Sequence, residues 1–553
     1  MAGMRSEWNV VGMVVVSVGI LCAACAGQIP TEDGSNARFR IAGTVVNRSG
    51  GAVLERARVT IRNTKDPRDV QSQLTGDDGR FEFHVQAGKY SLHGAKRGFI
   101  SSDYNQHEQY SSAIVTGAGI DTENLQLQLL PSAVLSGKVL DESGDPVRKA
   151  EVTLWREDHA TGVGRTVGIR REVTDDQGVY EFTPLDAGTY YLSVTATPWY
   201  AVHPATAAPE GVVAAPAVVD QGLDVLYPTT YYLGAIESDE ATPIPLRGGD
   251  RMEVDLRLIP VSAVHVVFRS PDPDKGNRFP LIQKRVFGEL DSPQYSENVR
   301  PIGPGVFELT VAPGKYALRL SGQAEPSRIS DVEITHEHRE LDPSSGEALS
   351  NIKASVRVLG EDELPKQLYV GLRARREHGV SFGLVNSKGE LHIEEVVPGS
   401  YEVLAGAQEK SYAVVKIASE GQETSGHTLK VAAGASMVLT LTLVRGTGRV
   451  EGFVKLGSKG VAGAMVVLVP KHPEANLELF RRDQSDLDGS FVLQGVIPGT
   501  YTVIAIVDGW DLDWSRAGVL AKYAGHGQTV VVPPAGSHAV LPPVVVQTQV
   551  GAK

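Results

Sequence analysis

Apolar and polar residues alternate along much of the chain, and the alternation recurs in a repeated unit. After Gly188, for example, the apolar positions are Tyr190, Leu192, Val194 and Ala196. A period of two places such side chains on one face of a β-strand and the intervening side chains on the other face. Apolar residues at helical spacing are almost absent between these segments. The pattern therefore predicts an all-β protein made of antiparallel β-sandwiches.

The repeated unit is a glycine turn, a short strand, a second glycine turn and a tyrosine that opens the next strand. In its first turn, glycines such as Gly79, Gly178 and Gly489 supply the positive φ that a tight hairpin requires. The tyrosines recur on the order of every 100 residues, the size of a domain and longer than a solenoid repeat. We expect each tyrosine hydroxyl to fix a corner of a sandwich. They are Tyr90, Tyr190, Tyr316, Tyr401 and Tyr501.

These intervals predict about five antiparallel β-sandwiches in series. A signal peptide and a linker come before them. The short joints Leu130-Pro131-Ser132 and Ile259-Pro260-Val261 favour a semi-rigid rod, because proline limits bending between units. The predicted segments are 1–26 (signal peptide), 27–38 (linker), 39–130, 131–260 (with a long insertion), 261–349 (divergent), 350–445 and 446–548.

The N-terminal segment has the layout of a secretory signal peptide. Arg5 precedes an apolar stretch at 10–21, and the small residues that follow predict cleavage after Ala26. Cys25 leaves an alternative open, since the segment also resembles a lipoprotein signal in which this cysteine is acylated. No later apolar run is long enough to span a membrane. We therefore predict an exported protein of the periplasm, the outer cell surface or the extracellular space.

Composition narrows the class of function. The 553 residues include 53 Lys and Arg against 66 Asp and Glu, a net charge of −13, so a nucleic-acid partner is not predicted. With 59 Gly, 31 Pro and 42% hydrophobic residues, the chain is rich in turns yet able to form cores. Its 2 cysteines both lie in the signal segment, so the remaining sequence forms no disulfide.

Motifs for catalysis and for metal or cofactor binding are weak. His336-Glu337-His338-Arg339-Glu340 lacks the histidine spacing of a helical zinc site and is interpreted as a solvated turn. Asp486-Leu487-Asp488-Gly489 resembles part of a calcium loop but lacks its first and last ligands, which favours a hairpin turn. Dinucleotide, phosphate-loop and nucleophile-elbow motifs are absent from the sequence. We predict no catalytic residues, no metal ligands and no cofactor.

Two aromatic clusters are the candidate binding residues. Trp510 and Trp514 flank Asp511 and Asp513 just after the last recognisable strand of the fifth unit. Indole plates beside carboxylates suit a stacked sugar ring, whose hydroxyl groups donate to the acids. The alternative is that both indoles cap an open end of the sandwich or pack on a neighbouring unit. The second cluster lies in the long insertion and consists of Trp199, Tyr200, Tyr231 and Tyr232. The alternative to a binding pocket here is a loop that lies along the surface of the sandwich.

The stretch from Ser136 to Ala196, with echoes near Gly43 and Gly452, resembles the carboxypeptidase regulatory-like domain. That family has a transthyretin-like sandwich of seven strands and overlaps with carbohydrate-binding-like modules. The resemblance therefore implies sandwiches of the prealbumin-like or immunoglobulin-like kind. Segments 227–232 and 463–523 resemble multidomain exported proteins of acidobacteria. The resemblance implies a non-enzymatic exported scaffold or binding protein whose partner is a polysaccharide or a cell-envelope protein. The alternatives are a structural spacer or adhesin stalk that presents a protein-binding surface, and an enzyme with an unrecognised site.

Overall fold

The computed structural model describes most of the chain beyond its N-terminal segment. The predicted signal peptide, with Ala26 and Cys25, lies outside the described residues. Within the described part, no helix is long and apolar enough to cross a membrane. The described residues are 38–117, 119–159, 162, 164–203, 220–270, 279–290, 299–321, 327–337, 340–342, 346–361, 363–374, 380–408, 410–419, 422–534 and 541–551.

The first sandwich contains β1 (Phe39–Asn47), β2 (Arg58–Asn63), β3 (Val70–Leu74), β4 (Arg80–Val85), β5 (Lys89–Ala95), β6 (Ser102–Asp103), β7 (Ile114–Val115) and β8 (Leu125–Leu129). One sheet has the order β4-β1-β8 and the other the order β3-β2-β5-β6, with β7 paired to β5. The alternation in β4 buries Phe81, Phe83 and Val85 against Tyr90 and Leu92 of the facing sheet.

The second sandwich contains β9 (Ala133–Leu140), β10 (Glu151–Asp158), β11 (Arg165–Val173), β12 (Val179–Leu185), β13 (Gly188–Thr195), β15 (Thr230–Tyr231), β16 (Ile244–Leu246), β17 (Arg251–Glu253) and β18 (Leu256–Arg257). Its sheets have the orders β12-β9-β17 and β11-β10-β13-β15. The insertion before β16 holds β14 (Val225–Leu226) and short 3-10 turns at Gln221–Leu223, Tyr232–Gly234 and Ser238–Glu240. Strand β14 pairs with β19 (Val261–Ser262), which begins the next unit.

The third sandwich contains β20 (Val264–Arg269), β21 (Phe279–Gln283), β22 (Arg285–Val286), β23 (Glu289–Leu290), β24 (Val299–Gly303), β25 (Val306–Val311), β26 (Gly314–Ser321), β27 (Arg328–Ile334), β28 (Glu340–Leu341) and β29 (Glu347–Ala348). Its two main sheets have the orders β24-β25-β20-β28 and β21-β26-β27-β29, and β22 forms a small hairpin with β23.

The fourth unit differs because a single nine-stranded sheet supplies both of its layers. It contains β30 (Ser350–Val358), β31 (Tyr369–Ala374), β32 (Val380–Leu384), β33 (Glu390–Val396), β34 (Gly399–Ala407), β35 (Lys410–Ser419), β36 (Gln422–Ser425), β37 (Thr428–Val431) and β38 (Ser436–Arg445). The order is β32-β31-β34-β35-β38-β30-β33, with β36 on β35 and β37 on β34. Buried residues from strands along the whole sheet share one core, so the sheet curls around it.

The fifth sandwich contains β39 (Gly448–Leu456), β40 (Lys459–Gly460), β41 (Met465–Pro470), β42 (Arg481–Gln484), β43 (Ser490–Val496), β44 (Gly499–Val507), helix α1 (Ala517–Ala524), β45 (Gln528–Val532), β46 (Val544–Gln547) and β47 (Gln549–Val550). Short 3-10 turns at Pro473–Ala475 and Leu477–Leu479 separate β41 from β42. Its sheets have the orders β40-β39-β43 and β42-β41-β44-β45.

The predicted tyrosine corners are confirmed in all five units. Each hydroxyl donates to the backbone carbonyl four residues upstream, as Tyr190 does to Asp186 at 2.8 Å and Tyr501 to Ile497 at 2.8 Å. The other three acceptors are Gln86, Ala312 and Val397. The rings are buried, so each bond satisfies a polar atom that the core would otherwise leave unpaired.

The prediction for the glycine turns is half right. Gly79, Gly178 and Gly489 have the expected positive φ of 71°, 70° and 83°. These turns join strands of two different sheets, however, so they cross between layers and close no hairpin. Only in the third sandwich does the corresponding Gly305 join two paired strands, β24 and β25. The Asp486 to Gly489 segment is one of these crossing turns, and His336 and Glu337 lie exposed in a turn as interpreted from the sequence.

A rod is the wrong description of how the units are arranged. The joint at Pro131 is held to the first sandwich. Ile100 N donates to Leu130 O at 2.8 Å, and Phe99 forms an isolated antiparallel β-bridge with Pro131. At the far end, the fifth sandwich contacts the first one directly, for example through Ser112 and Ser485. The chain therefore closes on itself. The proline joints indicated only that bending between units is limited, and they do not predict this closure.

Candidate functional site

The tryptophan loop of the fifth sandwich is buried. Trp510 and Trp514 are 7% and 9% exposed and belong to an apolar cluster on the outer face of the sheet that contains β41 and β44. The same sheet covers the sandwich core with its other face. Apolar residues thus lie on both faces, as in a strand that is covered from two sides. The indoles pack here as the alternative interpretation of the sequence describes.

Side chains of the first sandwich cover the loop. The segment between β6 and β7, residues 104–113, is called the covering loop. Its His107 ring stacks on Trp510 with centroids 5.1 Å apart and planes 5° apart, and its Tyr110 ring lies 5.5 Å from the same indole. Trp510 also donates from Nε1 to Gly463 O at 3.1 Å. The flat face of Trp510 is therefore occupied by His107.

Arg482 of β42 is at the centre of this contact. Its side chain is 3% exposed, and its two terminal nitrogens bind both oxygens of Glu108 on the covering loop, at 3.2 and 2.6 Å. The guanidinium also lies over the Trp514 ring, 4.4 Å from its centroid, and near Tyr110 at 5.3 Å. A bidentate carboxylate and an aromatic face together compensate for taking this cation out of water.

A seam of hydrogen bonds extends the contact along the covering loop. Ser112 Oγ donates to Ser485 O at 2.7 Å, Ala113 N donates to Asp486 Oδ1 at 2.8 Å, and Leu487 N donates to Ala113 O at 3.0 Å. Lys89 binds the other oxygen of Asp486 at 2.7 Å. The turn that resembles a calcium loop thus uses Asp486 to bind the first sandwich.

The second sandwich reaches the same loop through Asp513. Its Oδ1 accepts from Gly164 N at 3.3 Å and lies 3.1 Å from His159 Nδ1. Next to it, Ser515 N donates to Gly162 O at 3.2 Å. Residues 508–516 therefore lie where the first, second and fifth sandwiches meet, and we call this region the junction.

A cleft of about 880 Å³ opens at the junction. Asp511, the one exposed member of the tryptophan loop's four candidate residues, lines it together with an edge of Trp510. The first sandwich contributes polar side chains such as Gln106 and Gln128, and the second contributes Arg156 and Asp186. The volume is within the range of small-molecule sites. The full set of lining residues is Arg48, Ile100, Ser101, Ser102, Gln106, His107, Glu108, Gln128, Leu130, Arg156, Asp186, Ala187, Trp510 and Asp511.

The second predicted cluster is not one site. Trp199 is 88% exposed, while Tyr231 is buried and its ring lies 5.9 Å from Phe287 of the third sandwich. Tyr232 packs partly buried against the core of the second sandwich. The alternative, a loop along the surface, describes these three positions better than a common pocket does.

Tyr200, the fourth member, is held by a carboxylate. Its hydroxyl donates to Glu142 Oε1, and Tyr227 donates to Glu142 Oε2 at 2.9 Å. Burial, together with this carboxylate, raises the pKa of Tyr200 to about 12. The hydroxyl therefore remains a donor at physiological pH and fixes the insertion to the body of the second sandwich.

Sequence reasoning missed the residues that build the junction, above all Arg482, Glu108 and His107. One signal was present. Residues 465–469 and 503–507 are continuous apolar runs, in contrast to the alternation elsewhere. Such runs indicate strands that are covered on both faces. They predict a cover for the outer face of the fifth sandwich, although not that the cover comes from the first.

Comparisons with known proteins find a family match for two segments of the chain and weak likenesses to solved structures. No curated protein matches the chain. Among the solved structures that are similar to the chain, three examples show how low the identity is. The Bacillus anthracis TIE protein is 10% identical, with 75% of this chain and 76% of that chain covered and a TM-score of 0.16. The shaft pilin SpaA from Lactobacillus rhamnosus GG is 11% identical, with coverage of 41% and 99% and a TM-score of 0.19.

A streptococcal ancillary pilin is also 11% identical, with 55% of this chain and 98% of that chain covered and a TM-score of 0.20. Scores of this size give no basis for transferring an arrangement or a function. The family match is more specific. Residues 40–128 and 134–215 both match the model of the carboxypeptidase regulatory-like domain, whereas the resemblance near Gly452 stays a prediction. Two tandem segments of the chain, which correspond to the first two sandwiches, thus match the carboxypeptidase regulatory-like domain.

Proposed function

We propose that the chain is a non-enzymatic, exported scaffold of β-sandwiches that binds a polysaccharide in the cleft at the junction. The observation that carries the proposal is the cleft itself, which three sandwiches line with donors and acceptors. Arg156 and the two glutamines can donate to sugar hydroxyl groups, while Asp186 and Asp511 can accept from them. An edge of Trp510 supplies an apolar wall.

Closure of the chain supports this role. The cleft exists only while the first and fifth sandwiches are in contact, because each contributes part of its wall. The bidentate pair between Arg482 and Glu108 and the seam along the covering loop hold that contact. Because buried contacts hold the cleft wall in place before a ligand binds, less conformational entropy is lost on binding.

The test is binding of the purified chain to a panel of immobilised polysaccharides, with variants that leave the buried tryptophans intact. Gln128→Ala removes an amide from the cleft wall, and Asp511→Ala removes an exposed acceptor. Gln126→Ala is the matched control, because Gln126 is exposed on the same face of β8 two residues away and does not line the cleft.

We expect saturable binding that Gln128→Ala and Asp511→Ala each weaken by about tenfold, the equivalent of one hydrogen bond of about 1.4 kcal/mol. Gln126→Ala should bind as the unchanged chain does. Absence of binding to every glycan, or equal loss in all three variants, would reject the cleft as a polysaccharide site.

A structural spacer or adhesin stalk that presents a protein-binding surface is the second candidate, and one patch on the fourth unit favours it. Phe382 and Leu384 of β32 are 70% and 67% exposed, and Leu384 pairs with the partly exposed Tyr369 of β31. Neighbouring exposed apolar side chains of this kind are typical of protein contacts. Association of the purified chain that Phe382→Ser abolishes, in the absence of glycan binding, would favour this function.

A further inference from the structure

A buried acidic cluster lies at the joint between the fourth and fifth sandwiches. Glu402 projects from β34, and His427 stands directly before β37, so both belong to the fourth unit. Glu478 belongs to the fifth unit and lies in the 3-10 turn Leu477–Leu479. The three side chains are 6%, 8% and 9% exposed. Two carboxyl groups from different units therefore face one histidine away from water.

The carboxylate oxygens in this cluster are incompletely satisfied. Glu402 Oε2 accepts from Arg373 Nε at 2.9 Å, but its Oε1 is buried without a hydrogen-bond partner. Both side-chain oxygens of Glu478 are buried without one. Burying a carboxyl group in this way costs several kcal/mol unless a proton or a cation compensates. The Glu478 carboxyl is thus the strongest indication that something else belongs in the cluster.

The possible ligand atoms lie close together. The two carboxylates face different nitrogens of one ring: His427 Nε2 is 3.6 Å from Glu402 Oε1, and His427 Nδ1 is 3.4 Å from Glu478 Oε1. Because a single ion binds only one of these nitrogens, one glutamate side chain has to turn toward the nitrogen that the other glutamate faces. One ligand atom from each of the three residues can be chosen so that all lie within 4.8 Å of one another. Tetrahedral zinc, about 2.1 Å from each ligand, requires ligand atoms about 3.4 Å apart, so side-chain rotation brings them into place.

We propose that Glu402, His427 and Glu478 bind a divalent transition-metal ion, with Zn²⁺ the best fit to one nitrogen and two carboxylate oxygens. Histidine and carboxylate together form a common zinc donor set, and water completes the fourth position. Arg373 donates to one oxygen of Glu402 and leaves the other oxygen available to the ion. Such a hydrogen bond fixes the orientation of a metal-binding carboxylate. Because the ligands come from two units, the ion joins the fourth sandwich to the fifth.

The competing occupant is a proton. Burial and the facing Glu402 raise the pKa of Glu478 well above its usual range, so a proton shared between the two carboxyl groups is the alternative way to relieve their repulsion. Both occupants relieve the same repulsion, and only metal uptake separates them. The experiment therefore measures zinc directly.

The purified full chain is stripped with a chelator and titrated with Zn²⁺ alone by calorimetry, with metal content measured after gel filtration. We expect one zinc per chain, a higher Tm with zinc than with chelator, and a visible Co²⁺ spectrum of four-coordinate type. Glu478→Gln keeps the size of the side chain and should weaken zinc binding by at least about tenfold. Glu474→Gln, an exposed glutamate in the preceding 3-10 turn, is the matched control and should bind as the unchanged chain does.

His427→Gln provides a second, independent loss of a ligand if Glu478→Gln perturbs the fold, which circular dichroism would reveal. No stoichiometric zinc uptake by the unchanged chain overturns the proposal. Equal uptake by Glu478→Gln and Glu474→Gln also overturns it. A Glu478→Gln chain that is more stable than the original in the presence of chelator, with no zinc uptake by either, would assign the cluster to a shared proton.

Discussion

Two aromatic loops that look alike in the sequence have opposite environments in the structure. Trp510 and Trp514 are covered by the first sandwich, whereas Trp199 projects into solvent. Both loops place tryptophan shortly after a strand of a sandwich, Trp199 after β13 and Trp510 after β44. The difference arises from the partner: the first loop is covered by a unit that precedes it by nearly the whole chain, whereas the Trp199 side chain is left 88% exposed. The local sequence shows which side chains a loop contains, but it does not show which distant part of the chain will pack against them.

The largest effect should come from Trp514→Ala at the buried loop. Removing a buried indole leaves a cavity and deprives Arg482 of the ring beneath it, at a cost of about 3 to 5 kcal/mol. In calorimetry, the transition that contains the fifth sandwich should lose more than about 10 °C. The exposed Trp199→Ala is the control and should change stability by less than about 0.5 kcal/mol. Similar losses in both variants would remove the distinction between the loops.

Arg482→Met should loosen the contact between the first and fifth sandwiches by about 2 kcal/mol, because it removes a charged bidentate bond and leaves Glu108 half-buried without its partner. Hydrogen exchange at the amides of Ala113 and Leu487, which bond across the contact, should accelerate about thirtyfold. Arg516→Met is the matched control, since Arg516 binds Asp513 on the exposed side of the same region. Unchanged exchange in Arg482→Met would show that the seam holds the contact alone.

The fold class and the tyrosine corners could be predicted because they depend on short-range signals. Alternation fixes which face of a strand is buried, and a hydroxyl four residues from its acceptor needs no distant partner. The junction could not be predicted, because Arg482 and Glu108 are 374 residues apart. The residues around an arginine on an edge strand do not show whether its side chain is buried or exposed to solvent. The acidic cluster could not be predicted for the same reason, since Glu478 contacts Glu402 only when the fourth and fifth units pack together.

Asp483 follows Arg482 on β42 but faces the inside of the fifth sandwich, so it tests how far burial between the two sheets changes the pKa of a carboxyl group. Burial raises its pKa to about 6, although Val492 N donates to it at 2.7 Å. The folded chain therefore holds this proton more tightly than the unfolded chain, whose aspartate has a pKa of about 4. The free energy of unfolding should consequently fall as pH rises from about 4 to about 6.

Asp483→Asn should abolish that fall and stabilise the chain at pH 7 by about 1 kcal/mol. Denaturant titrations between pH 4 and pH 7 measure both effects, with Asp511→Asn at the exposed cleft position as the comparison. Identical pH profiles for the original chain and Asp483→Asn would contradict the prediction.

The smallest effect should come from Tyr200→Phe in the exposed insertion. The change removes one hydrogen bond to Glu142, which keeps its bond from Tyr227, so we expect a loss of about 1 kcal/mol or less. Limited proteolysis within the insertion should become faster while the Tm of the sandwiches stays nearly constant. A loss as large as that of Trp514→Ala would mean that the insertion supports the second sandwich as strongly as the junction supports the fifth.

The hydrogen bond between Ser112 and Ser485 spans 373 residues, and this separation has a consequence in time. A ribosome adds about 5 to 20 residues per second, so the covering loop is made tens of seconds before the strand that will bind it. During that interval His107, Tyr110 and Glu108 have no counterpart, and the first unit has to persist with an incomplete surface. Final assembly therefore waits for the last hundred residues of the chain, and a nascent chain that stops before β42 leaves the covering loop open to other proteins.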